Sequence, residues 1–315
     1  AAAVNWRYRC AAPLAEFATL GGCAAASSSA GVEEIVLSTT LADAVATWHN
    51  VADRTTNAGM EREWRWRGVE ADVRWGYFRT YEALLALADA IGAARLTAGR
   101  PPTLAQRALG RYQTAYRELG ALLARVSPDE FDRAPAAGEW PLRDLLGHVM
   151  QTDAGFLTIT QWAIERSRGG DDRPLSAPRD LFGPRPETDA GGAMADVLAR
   201  FSALHEKVLR TLTGTADAEL AAPIGFWYTA DVAFQLYRFD AHLREHTIQA
   251  EKVLEAILPP ATDAWRTLRL CYRALGEAEG AALGAEELAE PLAAKSAAEI
   301  RARGNEILAL LGAVG

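Results

Sequence analysis

An all-α fold follows from three observations on this chain. Apolar residues recur at alternating spacings of three and four along several long segments, the mark of amphipathic helices. Half of the residues, 50%, are hydrophobic and alanine is abundant, a composition that suits helices. No region of period-two alternation reads as β-rich. The length, 315 residues, permits one large or two small domains.

Taken in order, residues 1–31 are small, Ser/Gly-rich toward their end and without periodicity, so a loosely ordered N-terminal extension is expected. Pro13 and Glu16 interrupt the apolar run that a secretory leader requires, and no run approaches a membrane span of roughly 18 apolar residues. Residues 32–100 read as a helical segment broken at Asn57-Ala58-Gly59. One helix face there carries Trp75, Phe78, Tyr81 or Glu82, Leu85 and Ala88, and is expected to dock on the bundle formed by the residues that follow. Trp64, Trp66 and Trp75 stand among arginines. Such a cluster can stack bases or cover a cofactor cavity, but packing with arginine stems laid over the rings is the expectation. His49 has no nearby partner in sequence and reads as structural or exposed.

The stretch TAGRPP, residues 97–102, is a boundary by composition. Beyond it Ala105, Ala108, Tyr112, Ala115, Leu119, Leu122 and Val126 mark the first helix of a bundle, and Ser127-Pro128-Asp129-Glu130 has the spacing of a capping box. Pro141 opens a second helix with the stripe Leu142, Leu145, Leu146, Val149 and Phe156, continuing through Ile159 and Trp162 toward Glu165. Asp153 and Glu165 are candidate acids, but Asp153, five residues after His148, lies well round the helix from it, and both read as solvated charges. Residues 169–192, rich in Gly, Pro and Asp, form a long loop that is either disordered or functional. Met194, Val197, Phe201, Leu204, Val208 and Leu212 stripe a third helix, bordered by His205, for which an interhelical hydrogen bond is expected rather than a metal. Phe226-Trp227-Tyr228 then wall a pocket or staple the next helix start. Residues 261–315 read as a C-terminal helical hairpin, with helices near 262–283 and 297–311.

The fourth helix, residues 229–258, carries the chemistry. Thr229 is its expected N-cap, Pro259-Pro260 end it, and Val232, Leu236, Phe239, Leu243, Ala250, Val253 and Ile257 form its apolar seam. His246 fills the seam position between Leu243 and Ala250, with His242 one turn earlier on the same side. Two imidazoles at i and i+4 can reach one metal ion. His148, on the edge of the second helix's stripe, is expected to face inward as a third. Pattern alone leaves open whether these rings hold a metal or are hydrogen-bonded core residues.

The segments GEWPLRDLLGHVMQTDAGF and RFDAHLREHTIQAEKVL resemble the DinB-like superfamily, which includes mycothiol-dependent maleylpyruvate isomerases and bacillithiol transferases. The shared features are Trp140, His148, His242 and His246, within residues 101–260. The resemblance implies an up-down-down-up four-helix bundle, with extra N-terminal helices and the C-terminal hairpin added to it here. It also implies a divalent metal (Zn, Ni or Fe) held by His148, His242 and His246, with a low-molecular-weight thiol as co-substrate and a thiol-dependent transfer or isomerisation of a small molecule. Arg238 is a candidate for an acidic substrate, and Glu245 and Gln249 for orienting ligand rings. Related bundles often dimerise, so a homodimer is a candidate assembly, and the sequence leaves open whether two chains pair. The alternatives are a non-catalytic metal-binding or structural bundle, and, ranked last, the iron and oxygen chemistry of sulfoxide synthases, whose large second domain is missing here.

The net charge of -8 argues against nucleic-acid or anionic-membrane partners. Cys10, Cys23 and Cys271, odd in number and far apart, suggest a reduced, cytoplasmic protein without a disulfide frame.

Overall fold

A computed structural model describes residues 36–170, 173–225 and 229–312. The N-terminal extension, with Cys10 and Cys23, and the aromatic triplet 226–228 lie outside these residues. The first described helix, α1 (Val36–Arg54), buries Leu41, Val45, Trp48 and Val51 and is tied to the far end of the chain by a bond from Trp48 Nε1 to the Ile300 carbonyl, 3.2 Å. A turn of 3-10 helix at Ala58–Glu61 follows.

Next comes an antiparallel hairpin, β1 (Glu63–Trp66) and β2 (Val69–Asp72), where an all-helical reading had placed no strand. Trp64 and Trp66 alternate inward with exposed Glu63 and Arg65, a period-two pattern only four residues long. The turn places Arg67 at φ 50° and Gly68 at φ 85°, the positive values that a tight two-residue hairpin demands. Its Arg-Gly sequence lacks the usual Asn or Asp, which hid it. The tryptophans pack as expected: Trp64 lies 5.5 Å from Trp66 and 5.9 Å from Trp75, with Arg67, Arg79 and Arg303 over the rings.

Asp72 caps α2 (Val73–Thr97) by accepting from the Trp75 N–H at 2.8 Å. The deep face of α2 is Val73, Gly76, Tyr77, Thr80, Leu84, Leu87 and Ile91, one position off the expected stripe, and Phe78 is exposed. Counting large apolar residues misplaced the face because the small Gly76 and Thr80 share it with Tyr77, Leu84, Leu87 and Ile91. A side chain at Gly76 would come 2.4 Å from Ile307 Cδ1.

Thr103 and Gln106 form a capping box for α3 (Leu104–Leu123), and Ser127 and Glu130 form the expected one for α4 (Pro128–Phe131). The bundle is completed by α5 (Leu142–Gly169), α6 (Met194–Leu212) and α7 (Val232–Ile257). A short hairpin, β3 (Pro223–Gly225) and β4 (Thr229–Asp231), precedes α7, so Thr229 lies in a strand and Asp231 is the N-cap, accepting from the Phe234 N–H at 2.8 Å. Cross-helix pairs fix the topology. Arg111 meets Tyr237 and Glu118 meets Arg244, so α3 and α7 run parallel. Gln113 meets His205 and Tyr116 meets Phe201, so α6 opposes α3. His148 meets His246 and Phe156 meets Phe239, so α5 opposes α7. That is the up-down-down-up arrangement, around a core that includes Leu109, Leu119, Leu145, Phe201 and Phe239.

A second core joins α1, α2, α8 (Asp263–Ala282) and α9 (Glu286–Gly312). The C-terminal pair is a hairpin in sequence, but α8 packs mainly on α2 and α3, and α9 on α1 and α2. The α3–α8 crossing is close: a Cβ at Gly276 would lie 2.6 Å from Thr114 Cα, and one at Gly280 2.8 Å from Gly110 Cα. Helix α9 begins well before residue 297 because its Ala-rich first half packs Ala289 and Ala293 without long side chains. His49, read as structural or exposed, stacks on Tyr272 and Trp265 and bonds to the Tyr272 hydroxyl. Buried Cys271 has its thiol pushed up to about 12 by burial, which removes it from nucleophilic or ligand roles near neutral pH.

The loop after α5 lies on the bundle's outer surface. Trp162 Nε1 donates to the Pro174 carbonyl at 3.0 Å, Arg185 to Thr158 Oγ1 at 2.8 Å, and Arg143 to the Ala190 carbonyl at 2.6 Å. Among the described residues, its hydrogen bonds do not reach the histidines of α5 and α7.

Candidate metal centre

Helix α7 turns His242 and His246 into the bundle because they occupy its apolar seam, and they are 5% and 7% exposed. His148 sits at the edge of the buried face of α5, half-buried, with the exposed Trp140 ring 5.4 Å away. The antiparallel packing of α5 on α7 brings the three together. His246 Nε2 lies 3.0 Å from His242 Nε2, and His242 Nε2 lies 3.4 Å from His148 Nε2. One ligating nitrogen from each ring falls within 4.8 Å of the others.

The rear nitrogens define what the front ones offer. His246 Nδ1 faces Gln249 Oε1 at 3.0 Å, and an amide oxygen accepts, so that Nδ1 carries the proton and Nε2 presents a lone pair. The amide orientation follows from the hydrogen-bond network. Behind His242, Nδ1 faces Asp153 Oδ1 at 3.7 Å. His242 Nε2 faces the His246 lone pair at 3.0 Å and His148 Nε2 faces His242 Nε2 at 3.4 Å, spacings that a shared proton or a cation bridges. Tetrahedral metal–nitrogen bonds of about 2.0–2.1 Å place ligand nitrogens roughly 3.3 Å apart. The donor set therefore fits a divalent ion, which His148, His242 and His246 would hold, with His148 on the half-buried side.

The electrostatics agree. Burial, then the neighbouring His242 and His148 rings, lowers His246 to about 4, despite the Gln249 bond that favours its charged form. Burial and His242 lower His148 as well, against Asp153 and Glu245. Both rings are neutral at pH 7, the state that binds metal.

Of the other residues expected at the site, Gln249 is placed on His246, and Glu245 is exposed but close enough to act electrostatically on His148. Arg238 is half-buried without a hydrogen bond or ion pair among the described residues, whereas Arg244 of the same helix is paired with Glu118 and Asp240. His205 stands apart: its Nε2 meets Gln113 Oε1 at 2.5 Å and its ring stacks on Tyr116 at 3.9 Å, the interhelical bond expected of it.

The reading of Asp153 as a solvated charge is overturned. It is 1% exposed, takes the Tyr112 hydroxyl on Oδ2 at 2.6 Å, and stands behind His242. Measuring its angle from His148 obscured this. It lies four residues after Val149 and three before Phe156, both buried, and so on the inward stripe itself. Glu165 is exposed, as expected.

The fold and this cluster define a helical bundle with a three-histidine centre suited to a metal ion. Residues 111–250 match the family model of the DinB superfamily, which supports a DinB-like assignment. Comparison with curated proteins finds no match, and neither does comparison with solved structures.

Proposed function

We propose that the protein is a metal-dependent enzyme that transfers or isomerises a small molecule with the help of a low-molecular-weight thiol. The observation that carries this reading is the convergence of three imidazoles at a half-open edge of the bundle, between α5 and α7. His148, His242 and His246 hold the ion, which is Zn, Ni or Fe. A divalent ion in such a site lowers the pKa of a bound water or thiol toward neutrality. Gln249 fixes the His246 ring through its Nδ1–H. Trp140, beside His148 and 44% exposed, forms an apolar wall at the entrance. Arg238, without a carboxylate partner among the described residues, supplies a cation for an acidic substrate, and Glu245 tempers the charge at His148.

The test combines metal analysis of protein purified without a metal-binding tag with assays of low-molecular-weight thiols against electrophilic small molecules. Thiol consumption that disappears in His246→Ala supports the enzyme. Bound metal with no thiol affinity and no turnover assigns a non-catalytic metal-binding bundle instead.

A further inference from the structure

Asp153 presents two buried oxygens and only one is used. Oδ2 accepts from the Tyr112 hydroxyl at 2.6 Å, while Oδ1 has no hydrogen-bond partner. The atom it faces, His242 Nδ1 at 3.7 Å, is buried and without a partner as well. A buried polar group left unsatisfied is destabilising. The separation is too long for a hydrogen bond, and a small rotation of either side chain closes it.

Chemistry dictates which bond forms. A carboxylate is only an acceptor, so it selects the imidazole tautomer with the proton on Nδ1, and that tautomer leaves Nε2 bare among the other two histidines. The carboxylate is itself held in place, because Tyr112 is buried and packs its ring 5.3 Å from Phe239 and 4.4 Å from His205. Resting on the three-histidine reading above, we propose that Asp153, steadied by Tyr112, is the positioning residue for His242, fixing its Nδ1–H tautomer and aiming Nε2 at the metal. Behind a ligand imidazole the negative charge also strengthens its donation. The arrangement crosses three helices, α3, α5 and α7, so closing the bundle and setting the ligand are one event.

The test reads the ring nitrogens of His242 by 15N NMR in the metal-free and zinc-loaded protein, with zinc affinity measured by competition. The wild type is expected to carry the His242 proton on Nδ1 in both states. Asp153→Leu is expected to bind zinc about 10–100-fold more weakly and to lose the single tautomer. Tyr112→Phe, which keeps the carboxylate, is expected to keep the tautomer with a smaller loss of affinity. A role in packing alone would lower stability without moving the tautomer.

The proposal is overturned if wild-type His242 carries its proton on Nε2, or if a folded Asp153→Leu binds zinc as tightly as the wild type. Should that variant fail to fold, the wild-type spectrum and Tyr112→Phe decide. If the wild type binds no zinc, the metal reading fails separately, and the His242 tautomer in the two proteins still decides the positioning role.

Discussion

Replacing Gly276 by alanine tests whether the α3–α8 crossing is as close as described. A Cβ there would meet Thr114 Cα at 2.6 Å, the Gln113 carbonyl oxygen at 3.1 Å and the Thr114 nitrogen at 3.2 Å. All three are backbone atoms of α3, so no rotamer change relieves the overlap and the helices must part. Overpacking of this kind costs about 1–3 kcal/mol. Against it stands the intrinsic gain of alanine over glycine in a helix interior, roughly 0.5–1 kcal/mol. The clash wins, leaving a net loss of about 1–2 kcal/mol, or roughly 1.5–3 °C in Tm for a chain of this size. Gly92 is the control: it lies within α2, and a Cβ there meets nothing within 4 Å, so Gly92→Ala should stabilise. Urea and thermal unfolding of the two variants should move in opposite directions. A stabilised Gly276→Ala protein would refute the packing of α8 on α3, and with it the support for the helix that carries Tyr112.

Other predictions concern polar groups. Burial lowers His205 well below an ordinary imidazole, so below about pH 6.5 the unfolded chain takes up a proton that the folded one refuses. Stability is therefore retained above that pH and lost as the pH falls, by up to about 1.4 kcal/mol per unit for this group. Denaturant titrations at pH 7.5 and 5.5 should show a shallower loss in His205→Gln. Arg117 pairs with Glu279 through two bonds of 2.6 Å between α3 and α8, both side chains largely buried. Glu279→Leu should cost about 3 kcal/mol in chemical denaturation, and adding Arg117→Met should recover most of it. Chelators should lower the Tm of protein purified with metal, and a free-metal concentration of 1,000 Kd should raise stability by about 4 kcal/mol over the metal-free form.

The helices of the bundle and two of the histidines were legible because a period of 3.6 is repeated over many residues. His242 and His246 occupy a seam where leucine would otherwise pack, and Pro141 marks the start of the helix that brings His148 to them. What escaped was carried by few residues or by small ones. The β1–β2 hairpin has four residues per strand and an Arg-Gly turn, too short for its alternation to register. The inward face of α2 was displaced because Gly76 and Thr80 pack deeply without being large. Helix α9 begins with an alanine-rich half that gives little periodic contrast, and it contains Pro291. Asp153 was assigned to solvent by its angle from His148, although its place between Val149 and Phe156 put it on the buried stripe. A carboxylate on an apolar stripe signals a buried partner, here the Tyr112 hydroxyl and the back of His242.

Direct titration of metal-free protein with Zn2+ and Ni2+ tests the central claim, with His148→Ala, His242→Ala and His246→Ala measured alongside. The account predicts about one ion bound per chain in the wild type and a large loss of affinity in each single variant. Wild-type protein that binds no ion, or a triple variant that binds as tightly as the wild type, would contradict it.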